Sequence, residues 1–349
     1  MYNKKKFAIA ALTAGVVVYG QSALAEINLR AIGIVSTHLH HTELEKEFYA
    51  NLADTTGLDI SVNFNPLDVV GVNMQDTLRL VRSGAFDVVE TTIGSAARDD
   101  PFVEGLDLIG VSPDIDTLKE VVGVYRAPLE ERVAERFGAR VMSLWPFGPQ
   151  VFFCKGDVDG VQDLDGLRVR SYTPSMSALV EYLGATPVTM QFAEVYPALQ
   201  RGVAECAVTS PTSANTGNWP EVTDSLVMHG ISWSVQGHFM NLDTWNRLSP
   251  EAQVALDAAY QELEDQFWDM ARNLTDEAVN CTIGGDDCHG YNPFNMTLKE
   301  PSDGDIHLVN EAVEAVVLQT WGNTCNNNYP ECSRIWNETV GELRGLTIE

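Results

Sequence analysis

Apolar positions change their spacing along this chain, and each change marks an element. Residues 27–35 are apolar-rich and read as a strand. Thr42 followed by Glu45 is a capping-box signature, Leu44, Phe48 and Leu52 recur every fourth residue as a buried stripe, and Gly57 ends the helix. Leu58, Ile60, Val62 and Phe64 alternate as a second strand. A helix is predicted over 73–83, stopped by Gly84, and a third strand over 86–91. This β-α-β-α-β order predicts a parallel sheet with helices on both faces. Ligands bind beyond the carboxyl ends of such strands, which singles out residues 36–41, 65–73 and 90–95.

The second half repeats the theme. Residues 141–144, 151–154, 167–170, 188–190 and 206–209 read as short strands. Thr173 is a fitting N-cap with Pro174 at the first helical position, and Met176, Leu179, Val180 and Leu183 follow helical spacing to Gly184. Pro197 is tolerable only within a first turn, so the next helix starts near Ala193, with Phe192 at its mouth and Gly202 after its end. A long helix begins after Ser249-Pro250 and runs to about Val279. At ~1.5 Å per residue it spans roughly 45 Å, more than one small domain needs. The expected fold is therefore α/β and two-lobed, with a helix spanning both lobes and a cleft between them. Lobe I is expected to comprise 26–148 plus about 235–270, and lobe II 149–234 plus about 271–349.

The first 25 residues read as a secretory leader. Lys4, Lys5 and Lys6 precede an apolar run over 7–19, and Ala23-Leu24-Ala25 is a cleavage signal, so a mature chain beginning at Glu26 is expected. Losing the leader removes three lysines and no acid, leaving 19 basic against 49 acidic residues and a net charge of -30. Such a field excludes nucleic acid and anionic membranes as partners. An anionic ligand must be won by local groups. Six cysteines in an exported chain predict three disulfides. Cys281–Cys288 and Cys325–Cys332 share one short spacing and read as stapled loops. Cys154 and Cys206 remain, each in a strand-like run. A metal site is the sharper alternative, but the spacings are not C-x-x-C.

Arg170 stands at the carboxyl end of a strand, just before a helix start. A planar guanidinium there can grip a carboxylate through two parallel hydrogen bonds, aided by the positive helix end. The bland alternative is a structural arginine paired with one of the many acids. Arg168, two residues earlier, is expected to face solvent. Trp145, Phe147, Phe152, Trp233 and Phe239 flank segments near the cleft, and aromatic walls suit an apolar-bodied acid. Ser36, His38, Glu90, Thr91 and Thr92 are polar candidates from the first lobe. His38, His40 and His41 form either a metal cluster or a capped helix start. Trp219 reads as a packing residue.

Three motifs carry a specific resemblance over residues 26–349: Asp163-Leu-Asp-Gly-Leu-Arg-Val-Arg170, Gly184-Ala-Thr-Pro-Val-Thr-Met-Gln-Phe-Ala-Glu-Val-Tyr196, and Ala198-Leu-Gln-Arg-Gly202. Together they resemble the DctP-type substrate-binding subunit of tripartite ATP-independent periplasmic (TRAP) transporters. The segment Asn241–Pro250 resembles the one before that family's domain-spanning helix. The resemblance implies that Arg170 binds the ligand carboxylate, that Phe192 lies against the ligand and that Thr209 supplies a polar contact. Gln150 stands where some members carry a second arginine. Where many members read Val-Asp-Gly, this chain has Ala204-Glu205-Cys206, which fits Cys206 having a disulfide partner, Cys154.

The expected function is a non-enzymatic, periplasmic carrier of a small organic acid that delivers to TRAP permease subunits. It should need no cofactor and act as a monomer. An exported sensor or ABC-type receptor for the same ligands is the alternative. A secreted hydrolase or lyase is disfavoured, since neither G-x-S-x-G nor H-E-x-x-H occurs.

Overall fold

A computed structural model describes residues 26–286 and 288–349; the expected leader and its cleavage site lie outside them. Nine strands form one sheet: β1 (Ile27–Gly33), β2 (Ile60–Pro66), β3 (Val88–Thr92), β4 (Ala139–Cys154), β5 (Arg168–Ser171), β6 (Thr186–Thr189), β7 (Cys206–Thr209), β8 (Ser225–Asn241) and β9 (Thr297–Lys299). Their order is β2-β1-β3-β8-β4-β7-β5-β6, with β9 beside the start of β8. The pairs β1–β2, β1–β3, β5–β6 and β5–β7 are parallel, as the alternation predicts. The sheet as a whole is mixed, because β4 and β8 run antiparallel to each other and to β7 and β3.

Those two long strands correct the sequence reading. Residues 141–144 and 151–154 are the two ends of one 16-residue strand rather than separate strands. Pro146, Gly148 and Pro149 look like a break between strands. Instead the ladder absorbs them at register shifts between Val141 and Ser143, Pro146 and Gly148, and Gln150 and Phe152. Bulges of this kind bend a strand without ending it. β4 and β8 therefore pass from the first half of the sheet into the second as paired ribbons.

The helices are α1 (Leu39–Thr56), α2 (Thr77–Arg82), α3 (Ile115–Phe137), α4 (Pro174–Tyr182), α5 (Phe192–Arg201), α6 (Pro211–Thr216), α7 (Leu242–Asn246), α8 (Pro250–Thr282), α9 (Asp303–Ala312), α10 (Leu318–Asn328) and α11 (Cys332–Trp336). Several ends follow their sequence signals. Thr173 Oγ1 accepts from Met176 N at 3.2 Å, Ser249 Oγ accepts from Ala252 N at 3.2 Å, and Gly57 and Gly202 close α1 and α5 in the left-handed region. The capping box at Thr42 does not form. Helix α1 starts earlier, with His38 as its N-cap, and Glu45 points into the protein. There its carboxylate accepts from Ile34 N at 3.0 Å and meets His238 Nε2 at 2.9 Å.

Helix α8, 33 residues long, packs Leu256, Tyr260, Leu263 and Phe267 into the core beneath α1, and Val279 and Ile283 beyond it against the second half. No helix among the described residues is long and apolar enough to cross a membrane. The C-terminal segment divides between the halves. Val309, Ala312 and Val317 join the core around β5 and α4, whereas Leu318, Trp321, Trp336 and Ile348 join the core under α3. Trp321 and Trp336 donate their indole N–H groups to Pro101 O at 2.8 Å and Gly105 O at 2.9 Å. Residues after 317, and Val313 before them, thus pack on the side of the first half. Their apolar stripe carries no sign of which lobe it will cover.

All three expected disulfides are present. Cys154 and Cys206 are direct partners across β4 and β7, with Cα atoms 4.1 Å apart; Cys281–Cys288 and Cys325–Cys332 close short loops.

Candidate ligand-binding site

Five strand ends converge on a cavity of about 310 Å³. Ile34 and Val35 follow β1, Leu67 and Asp68 follow β2, Thr92 ends β3, Arg170 and Tyr172 come from the end of β5 and just beyond it, and Thr209 ends β7. The three loop segments singled out from the strand order all reach its wall, through His38, residues 67–73 and Thr92 with Ser95. The cavity lies where the two half-sheets face each other, as expected beyond carboxyl ends of strands.

Arg170 is the only cation among the residues lining this cavity. Its side chain is buried, at 3% exposure, and its Nη1 and Nε donate to Val208 O at 2.7 Å and Met190 O at 3.3 Å. Its guanidinium carbon lies 4.9 Å from the Tyr172 ring and 5.7 Å from that of Trp219. Among the described residues no carboxylate forms an ion pair with it, and burial pulls its pKa down to about 10. Taking a charge out of water without a partner is costly. Arg168, two residues earlier, behaves as an ordinary surface arginine: it pairs with Glu205 and donates to Val203 O and Gly202 O. The contrast sets Arg170 apart from a structural ion pair.

Phe192, the first residue of α5, presents its ring to the cavity and stacks on Trp219 at 5.2 Å with 25° between planes. Trp219 thus packs, as predicted, and it backs Phe192. His38 approaches from the first half, 5.1 Å from Phe192 and 4.9 Å from Phe147. Burial pushes its pKa down to about 3, opposed only by Asp68, so its ring is neutral. His41 stacks on Phe147 at 4.5 Å, and His40 lies 5.1 Å from Tyr291. The histidine triplet is an aromatic layer, and no group of metal-ligand side chains assembles among the described residues.

Arg170, Phe192, Thr209, Gln150, Phe147, Thr92 and His38 come together around the cavity. Gln150 is internally committed, accepting from Tyr172 Oη at 3.1 Å and donating to Gly148 O at 3.1 Å. Ser36, Trp145, Trp233 and Glu90 fall elsewhere, as do Thr91, Phe152 and Phe239. Ser36 gives both its N–H and its hydroxyl to Asp68, at 2.7 and 2.6 Å, and so pins a wall loop without lining the cavity. Trp145 is covered by α8, stacked on Phe267 at 3.9 Å. Trp233 is out of phase with the cavity-lining Ser234 and Gln236, so strand alternation turns it into the core under α3. Glu90 lies two residues inward from Thr92, buried beside Glu45.

Tyr172, Gln191, Gln236, Asp68 and Met74 also line the cavity and were missed. Tyr172 was findable, since it follows Arg170 by two residues and alternation keeps both on one side. Gln236 carries no such local signal.

Glu90 has neither oxygen hydrogen-bonded. Burial and then Glu45 raise its pKa well above 4.5. The folded protein therefore keeps a proton that the unfolded chain releases near 4.5. The stability this contributes is present below that pH and lost as pH rises toward the folded value, at about 1.4 kcal/mol per pH unit. Glu90→Gln should remove that slope. In urea unfolding between pH 5 and 8, the variant should gain on the wild type as pH rises. A constant difference would contradict a protonated Glu90.

The chain matches the family described as bacterial extracellular solute-binding protein, family 7 (DctP), over residues 33–319, and it belongs to that family. These are the receptors of TRAP transporters, a class of binding proteins rather than enzymes. The ectoine-binding periplasmic protein TeaA of Halomonas elongata is 24% identical over 48% of this chain and 50% of its own length. The sialic acid-binding periplasmic protein SiaP of Vibrio cholerae is 23% identical over 58% of this chain and 64% of its own. The chain thus spans less than two thirds of these two relatives. A TRAP solute-binding protein of Desulfovibrio salexigens with bound orotic acid superposes with a TM-score of 0.80 at 14% identity, covering 90% of this chain and 99% of the other. That likeness fixes the two-lobed fold.

Proposed function

We propose that this chain is a periplasmic TRAP receptor that binds a small organic anion through Arg170 and delivers it to membrane permease subunits. The observation that carries the reading is the buried, unpaired guanidinium facing a cavity at five strand ends. A ligand carboxylate is the partner it lacks, and Nη2 forms none of the hydrogen bonds made among the described residues. Phe192, Phe147, Val35 and Met74 supply apolar walls, while Thr209 offers a hydroxyl. Closure is bending of the paired ribbons β4 and β8 near Pro146–Gln150, between a lobe built on β1–β3 and one built on β5–β7. Export with removal of residues 1–25 and action as a monomer complete the proposal.

The charge itself is testable. Among acids that bind by calorimetry, the methyl ester of the same acid should bind at least about a hundredfold more weakly, since charge-assisted hydrogen bonds contribute about 1.5–3 kcal/mol each. Equal binding of acid and ester would remove the basis of the reading.

A further inference from the structure

Resting on the reading of Arg170 as the carboxylate grip, a second polar side chain defines what else the ligand carries. Gln236 lies on β8 directly opposite Thr92 of β3, in the half-sheet across the cleft from Arg170. Its side chain is 3% exposed and lines the cavity with Ser234, two residues earlier on the same face. Its amide is idle. The carbonyl oxygen is buried with no partner, and the nitrogen makes none of the hydrogen bonds found among the described residues.

Three other polar groups on the wall are occupied, whereas His38 Nδ1, like the Gln236 carbonyl, has no partner. Gln150 is held by Tyr172 and Gly148, Thr92 Oγ1 rests on Met74 Sδ at 2.9 Å, and Asp68 is tied to Ser36. A buried amide with no partner destabilises a protein. Its placement opposite the lone cation makes it the natural second contact for whatever Arg170 holds. The cavity wall offers no second cation: it has no lysine, one arginine and a histidine held neutral by burial, while Asp68 adds negative charge. A second ligand carboxylate would be buried without a counter-ion.

We infer that Gln236 recognises an uncharged hydrogen-bonding group on the ligand, at the end away from its carboxylate. The cargo is accordingly a compact monoanion bearing one neutral polar function, such as a hydroxyl, amide or ring N–H, and not a dicarboxylate. An amide both donates and accepts, so Gln236 accommodates either polarity. It acts as a specificity residue and Arg170 as the affinity residue.

The test uses matched probes on two frames. The first set is 4-hydroxybutanoate, butanoate and succinate; the second is 3-hydroxybenzoate, benzoate and isophthalate. Calorimetry on the wild type should favour the hydroxy acid over both companions by roughly tenfold on the frame that binds better. Gln236→Leu should lower hydroxy-acid affinity by roughly tenfold and leave the plain acid within threefold. Gln236→Met serves as the second variant should the first fold poorly, and thermal melts of both should lie at or above the wild type. Preference for the dicarboxylate, an equal loss for all three acids, or no probe binding the wild type would each overturn the inference. Arg170→Met separates the two readings. If it abolishes binding while Gln236→Leu changes nothing, only the Gln236 inference falls; if it leaves every acid bound, the arginine reading falls as well.

Discussion

Replacing Arg170 with methionine should weaken binding of any carboxylate ligand by at least about a hundredfold while leaving the empty protein folded. Two charge-assisted hydrogen bonds at about 1.5–3 kcal/mol each would be lost, and the carboxylate would enter a dry cavity with no counter-ion. The cost to the empty protein is small because two effects oppose each other. Val208 O and Met190 O lose a donor, while the buried, unpaired charge disappears. Arg170→Lys should fall between, since an ammonium keeps the charge without the planar fork. Calorimetry paired with thermal melts reads both quantities. Affinity within threefold of wild type, or a fold that collapses without ligand, would make Arg170 a structural residue instead.

Loss of the Cys154–Cys206 bridge should cost about 4 kcal/mol of stability. The bridge closes a loop with a sequence separation of 52, and chain-entropy estimates give roughly that value for a loop of this length. Cys281–Cys288, with a separation of 7, should contribute only about 2 kcal/mol by the same estimate. The location adds a functional effect. Cys206 sits in register with Val169, and Ala207 with Arg170, so the bridge fixes the strand on which the guanidinium's strand leans. Urea unfolding of the Cys154→Ala/Cys206→Ala and Cys281→Ala/Cys288→Ala double variants should show the first less stable than the second. The reverse order would defeat the loop-entropy account.

The strands, the helices and the place of Arg170 at a strand end before a helix were readable because each has a local signature. Thr173-Pro174 caps a helix through its own backbone geometry, and Gly202 closes one. The two β-α-β runs place the binding loops without any knowledge of packing. What escaped depends on distant partners. Glu45 looks like a capping residue beside Thr42, yet Ile34 N and His238 draw it inward. Pro146, Gly148 and Pro149 suggest a break, yet the continuous pairing of β8 carries β4 through. Gln236 looks like any strand glutamine until its neighbours are seen to be taken. Trp145, Trp233 and Phe147 are alike as letters, and only helix coverage and strand phase decide which one meets the cavity.

The division of the C-terminal segment between two cores has a mechanical consequence. Counting β4, β8, α8 and the stretch from α9 into α10, the polypeptide crosses from one half to the other four times. A joint with four struts cannot swivel freely. Bending at those crossings should therefore carry the mouth through a narrow arc, and a molecule held inside should meet the same opposing wall each time.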